Sequence, residues 1–241
     1  MAVTTVYQSS QGRVGNSASG TLASAWQSAK GTNTTNGNSV GSTSTNDNFG
    51  SRTEAARGGS FLATNYRAYF YFDLSSISDI TGITFTARGG TNTRNQNGDW
   101  ITARANQDAD FGTIATSDYT LVYNSANAFT NYSQNVNSWS AGADNTVTLN
   151  ATAVTNSNNE GELCVGLMNY TYDYNGGEVE GSIGDIFNSL SFVNSGTTRA
   201  RLTVTHTAAS GYGNEVNAIV PASISKVLGI ATADISKVTG I

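Results

Sequence analysis

The sequence predicts an all-β fold, a two-sheet β-sandwich, on three observations. Short apolar runs alternate with polar residues at a period of 2, and Asn, Gly and Ser clusters separate them. No βα alternation and no long amphipathic helix is visible between residues 1 and 207. A single proline, Pro221, leaves Gly and Asn to make the turns.

Taken in order, Val3, Val6 and Tyr7 alternate weakly and predict an opening edge strand. Leu22, Ala25 and Trp26 anchor the Gly/Ser/Asn segment that follows, with Trp26 pinning it to the body. From Gln27 to Ser60 only Val40 and Phe49 stand out as apolar, which predicts a long N-terminal surface arm. The densest apolar stretch, Tyr66 to Ile77, reads as the central strand. Side chains alternate across a pleated strand, so Phe70 and Phe72 point into a core while Arg67 and Asp73 are expected at a wetter surface. Tyr69 and Tyr71 share that second face, which implies a covering layer or loop. Asp73 to Ile77 predicts a tight turn in which Asp and Ser side chains bond nearby amides. Ile83, Phe85 and Ala87 then alternate with Thr84, Thr86 and Arg88 until Gly89-Gly90. Five further strands follow, at Ile101/Ala103/Ala105, Val147/Leu149, Leu163/Val165/Leu167, Leu190/Phe192 and Leu202/Val204.

From Val216 the chain changes character and repeats itself every 11 residues: Val216 to Lys226, Val227 to Lys237, then Val238 to Ile241. A helical-turn reading, the preferred one, puts Pro221 at a first helical position and Thr232 at a cap. It puts a lysine in the last turn, and Gly229 or Gly240 ends the turn. A β reading makes Ile-Ser-Lys-Val a minimal strand. Neither buries its Val and Ile stripe alone. The candidate assembly interface is therefore Val216, Ile219, Ile224, Val227, Ile230, Ile235, Val238 and Ile241. Ala208 to Gly213 reads as a hinge. The chain thus divides into an N-terminal strand and extended arm packed on the sandwich (1–60), the sandwich (61–207), the hinge (208–213) and the repeat (214–241).

Charged residues make up only 12% of the chain, so its polarity comes from neutral hydrogen-bonding side chains rather than the charge runs of disorder. A net charge of −5, with Lys30, Lys226 and Lys237 the only lysines, removes the basic face that nucleic-acid binding needs. No stretch approaches the roughly 18 apolar residues of a membrane span, and Met1 to Thr5 carries no secretory signal. Cys164, in an apolar run, reads as a small buried hydrophobe. With His206 it is one of a pair too few for a zinc site.

Two stretches resemble known families. Arg67 to Ile77, followed by Ile83-Thr84-Phe85-Thr86-Ala87, resembles the centre of jelly-roll domains related to carbohydrate-binding modules. Phe192 to Thr205, with Arg199, Arg201, Leu202 and Val204, is similar to their closing strand. The C-terminal unit, with its Gly229-Ile230-Ala231 and Ile235-Ser236-Lys237, resembles repeats on structural proteins of tailed bacteriophages, marine and cyanobacterial ones above all. The chain departs from the jelly-roll family in lacking an obvious acidic cluster for its common calcium site.

For catalysis, Asp108 and Asp110 read as solvated turn carboxylates, and His206 on an edge-like segment offers a serine no base. Asp173, Glu178, Glu180 and Asp185 surround Gly176-Gly177 as an acidic loop with the oxygen chemistry calcium takes. No cofactor is otherwise implied. Tyr170, Tyr172 and Tyr174 alternate, so on a strand they share one face and could stack sugar rings. Trp100 and Trp139 read as loop anchors. Asn33, Asn131, Asn150 and Asn169 begin Asn-x-Ser/Thr acceptors, which an Asn- and Thr-rich chain produces by chance. The resemblances imply a non-enzymatic virion structural protein, such as a capsid decoration or fibre component at the virion surface. Its partners would be copies of itself, other virion proteins and host-surface glycans. The alternatives are a carbohydrate-binding module and the subunit of an extracellular filament.

Overall fold

The computed structural model describes residues 1–32, 35–41, 46–56, 58–90, 93–94, 98–105, 114–122, 129–177, 188–193, 195–207, 226–227 and 230–231. Two antiparallel sheets pack face to face, as the sequence predicts. The smaller sheet has the order β1 (Ala2–Tyr7), β12 (Arg201–His206), β6 (Ile80–Arg88) and β9 (Asp144–Thr148), so the first strand lies beside the last of the sandwich. The larger is built on β5 (Phe61–Asp73), a strand of 13 residues with no Gly or Pro to interrupt it.

One edge of β5 pairs along Phe61 to Tyr71 with β2 (Ser10–Gly20), which continues to β3 (Ser39–Gly41). Its other edge forks. β4 (Asn46–Ala55) pairs with Phe61 to Tyr66, and β10 (Glu162–Asn169) pairs with Ala68 to Asp73. Arg67 is the residue left at the fork. From there β4 leads to β11 (Asn188–Val193) and β7 (Thr93–Arg94), while β10 leads to β8 (Trp100–Arg104).

The pleat of β5 sends Ala68, Phe70 and Phe72 into the sandwich, where they meet Leu163, Val165 and Leu167 of β10, Ile83 and Phe85 of β6, and Leu202 and Val204 of β12. The ring of Phe70 lies 5.4 Å from Phe85 and 5.0 Å from Phe192. Such tilted aromatic pairs contribute roughly 0.5–1.5 kcal/mol beyond the area they bury. Asp73 ends the strand as foreseen: its Oδ1 accepts from Ser75 N at 2.9 Å and Ser75 Oγ at 2.6 Å, which holds its carboxyl below the usual range.

Among the described residues of the first sixty, β1 to β4 are strands of the two sheets rather than an extended arm. Trp26 lies on helix α1 (Leu22–Lys30), capped by Thr21, and Ala25, Trp26 and Ala29 form its buried stripe. Phe49 is fully buried in β4. The low apolar content of β4 hides a strand whose Ser51 and Thr53 are buried and whose Ser51 Oγ donates to Asn65 Oδ1 at 2.9 Å. Helix α2 (Ala151–Glu160) closes one end of the sandwich. Asn150 caps it, and Gly161, at φ 67°, supplies the left-handed residue that ends it.

Arg67 is the clearest departure from expectation. Instead of a wetter surface it occupies a site with no exposure at all, because the second face of β5 is covered by α1 and by two turns. The covering layer that Tyr69 and Tyr71 implied is there. The hinge at 208–213 lies outside the described residues.

Candidate functional site

The covered face of β5 carries a polar network centred on the fork. The Arg67 guanidinium grips Asp173 with two bonds, Nε to Oδ2 at 2.8 Å and Nη2 to Oδ1 at 2.6 Å, and both side chains are fully buried. Its Nη1 donates to Tyr119 O at 2.8 Å and its Nη2 to Lys30 O at 3.2 Å. The cation also lies 4.1 Å from the centre of the Tyr119 ring. Charge-assisted forked bonds of this kind are the strong ones, and a cation at the C-terminus of α1 complements the helix dipole.

Tyr119 sits in the short 3-10 turn Thr116–Thr120 and is the second node. Its hydroxyl donates to Ala29 O at 2.7 Å and accepts from Asn65 Nδ2 at 2.9 Å, while Tyr69 donates to its carbonyl at 3.2 Å. One strand, one helix end and two turns are thereby tied through two side chains. Burial pushes the Tyr69 hydroxyl well above its ordinary pKa. A bond to Glu162 at 2.5 Å, with burial second, pushes Tyr71 up to about 12.

The three tyrosines expected on a strand face lie elsewhere. β10 ends at Asn169, and Tyr170–Tyr174 form a π-helical turn closed by Asn175 N to Tyr170 O at 2.8 Å. The cause is local. Asn169 Oδ1 accepts from Tyr172 N at 2.7 Å, and the buried Asp99 carboxylate accepts from Thr171 N, Thr171 Oγ1 and Asn169 Nδ2. These bonds satisfy amides that a continuing strand would leave for a neighbour.

The turn separates the rings. Tyr170 and Tyr174 stack on each other with centres 5.7 Å apart, and Phe129 stacks on Tyr174 at 5.3 Å. Tyr172 instead lies nearly perpendicular to Trp26 with ring centres 6.2 Å apart, and the Trp26 indole donates to Gly177 O at 3.3 Å. All three tyrosines are half-buried, and burial raises the pKa of Tyr172 and Tyr174. No family model matches the chain, and no curated protein does.

The other candidates are scattered. Asp173 belongs to the buried pair, while Glu178, Glu180, Asp185, Asp108 and Asp110 lie outside the described residues. Among the described residues no group of three or more His, Cys, Asp or Glu is placed to hold a metal ion. Cys164 is fully buried, which raises its thiol pKa. His206 Nδ1 donates to Thr207 O at 2.9 Å, and its Nε2 is hydrogen-bonded to Thr4 Oγ1 at 3.0 Å. Trp100 and Trp139 are buried against each other at 5.3 Å, and the Trp100 indole donates to Ser138 O. Asn169 is buried and Asn150 caps α2, so both acceptors serve the fold. Asn131 donates to Ser133 O, and Asn33 lies outside the described residues.

An open cleft of about 750 Å³, which the sequence did not point to, lies where the turn after β5 meets the end of α2. Ser75, Ser78, Thr81 and Thr207 line it together with Asp79, whose φ of 53° is the one positive value outside glycine among the described residues. Asn158 also lines it, with its amide spent on both backbone groups of Ile80. Among the described residues its lining holds no Lys or Arg.

Of the tail, β13 (Lys226–Val227) and β14 (Ile230–Ala231) are described. They pair antiparallel, Val227 opposite Ile230, which is the β form rather than the preferred helical turn at this point of the repeat. Val216, Ile219, Ile224, Ile235, Val238 and Ile241 lie outside the described residues.

Proposed function

We propose that the chain is a non-enzymatic structural protein of a virus particle, which assembles with copies of itself or attaches to the virion through its C-terminal repeat. The sandwich supplies the rigid body. The observation that carries this reading is the 11-residue repeat together with the two-residue ladder Val227/Ile230 inside it. A pair of strands this short does not stand alone in water, so a chain that repeats the unit gains stability by stacking it on others. The Val and Ile stripe then supplies association energy at about 25 cal/mol per Å² of apolar surface buried, less the cost of ordering the tail.

Deleting residues 214 to 241 is expected to leave a folded sandwich that no longer builds assemblies larger than a pair. Light scattering that finds the same oligomers with and without the tail rejects the proposal.

A second reading, recognition of surface glycans, is favoured by the half-buried stack of Tyr170, Tyr174 and Phe129. Sugar rings stack on such surfaces. A glycan array is the test: signal that disappears in Tyr170→Ala supports it, and an empty array for the native chain removes it.

A further inference from the structure

We infer that β1 is a docking edge for a second copy of this chain, and that two copies join their smaller sheets there, β1 against β1, about a two-fold axis. Among the described residues β1 is a terminal strand that pairs with β12 alone. The reading is independent of the C-terminal repeat.

The hydrogen-bond phase decides which residues face outward. Gln8 N donates to Ala200 O at 3.1 Å, one step beyond the ladder that puts Val6 opposite Leu202 and Thr4 opposite Val204. Bonded and non-bonded pairs alternate in an antiparallel ladder, so Val6 and Thr4 spend their backbone groups on β12. Val3 and Thr5 therefore turn their N–H and C=O groups to the free edge.

Other terminal strands are blunted, and β1 is not. β9 opens with Asp144, which is ion-paired to Arg201 at 2.5 Å and Arg88 at 3.6 Å. β3 has three residues and β7 two. β8 is covered by bridges from Trp100 to Val136 and Ala103 to Asn131. β1 has six residues, Ala-Val-Thr-Thr-Val-Tyr, without charge, Pro, Gly or bulge, and Val3 is 66% exposed. Natural sheets avoid such an edge unless it is used.

A second copy fits better than a different partner because the edge complements itself. With Thr4 on the axis opposite its own symmetry mate, Val3 faces Thr5 of the other copy, and both outward pairs form hydrogen-bonded pairs. In a chain of net charge −5, a neutral strand is also the place where two copies approach with least repulsion. Shifting the axis toward Tyr7 runs the partner into the crossover that begins at Ser9, whose N–H is bonded to Tyr71 O.

The register is testable by cross-linking. Thr4 and its mate form a non-bonded pair with Cα atoms about 4.5 Å apart, within disulfide range. Full-length Thr4→Cys under mild oxidation is expected to run at twice the chain's mass without reductant, while Cys164 stays inert because it is fully buried. Adding Thr5→Pro removes an outward N–H that β12 does not use and should abolish the cross-link. Since Thr4→Cys also loses a bond to His206, sedimentation of Thr5→Pro alone gives a second readout, in which the mass of every assembled species halves. Absence of the cross-link in Thr4→Cys, its persistence beside Thr5→Pro, or an unchanged mass in Thr5→Pro overturns the inference. The disulfide is indifferent to deletion of residues 214 to 241, so its failure and the failure of the tail proposal are read separately.

Discussion

On one face of β5, Ala68, Phe70 and Phe72 meet the aliphatic and aromatic side chains of the facing sheet; on the other, Arg67, Tyr69 and Tyr71 bond to carboxylates and carbonyls, while the Tyr69 ring also packs among Val14, Ile101, Cys164 and Met168. Both faces are covered, but only the outer one sets a buried ion pair among its apolar side chains. The inner one gains from area removed from water and asks only for shape. The outer one removes a full charge from water and stays stable only while each partner is present. The difference teaches where the molecule tolerates change, with the inner face failing gradually and the outer face failing when one atom is lost.

The largest effects break the two faces separately. Phe70→Ala is expected to cost about 3–5 kcal/mol through the cavity it leaves. Asp173→Ala is expected to cost a similar 3–5 kcal/mol because it strands the Arg67 charge. Urea unfolding distinguishes the causes: replacing both partners, as Arg67→Met with Asp173→Leu, should restore most of the loss, and failure to recover would give the pair a role beyond mutual neutralisation. A smaller loss, about 1–3 kcal/mol, is expected for Tyr119→Phe, which leaves the buried Asn65 amide and the Ala29 carbonyl without their hydroxyl. Thermal unfolding measures it.

The smallest effect is on alkaline stability. Tyr71 is raised to about 12 in the folded chain, against about 10 unfolded. Its contribution is present in full below pH 10 and is lost as pH rises toward 12. Tyr71→Phe should therefore flatten the decline between pH 10 and 12, and an unaltered slope would remove Tyr71 as its source.

The inner face was legible in the sequence and the outer face was not, for a physical reason. Phe70, Phe85, Val165 and Leu202 announce themselves by period-2 alternation, as do the strands that carry them. Arg67 occupies a position that alternation assigns correctly to the second face, but alternation cannot say that α1 and the Tyr119 turn lie over it. The same blindness hid β4, whose buried Ser51 and Thr53 look like loop residues. Tyr170, Tyr172 and Tyr174 misled in the other direction, since a Tyr-x-Tyr-x-Tyr run has strand spacing. What could have betrayed the turn is Asn169, a capping side chain placed just before it. In the tail, the period of 11 is plain in the sequence, whereas the choice between helical turn and strand depends on neighbours that a repeat acquires only by stacking.

The central functional proposal is that the repeat, and not the sandwich, builds assemblies larger than a pair. Electron microscopy of the purified full-length chain tests it most directly. Regular multi-subunit particles or filaments that vanish when the chain is cut after residue 213 are the predicted result. A uniform field of single bodies or pairs, unchanged by the cut, would contradict it.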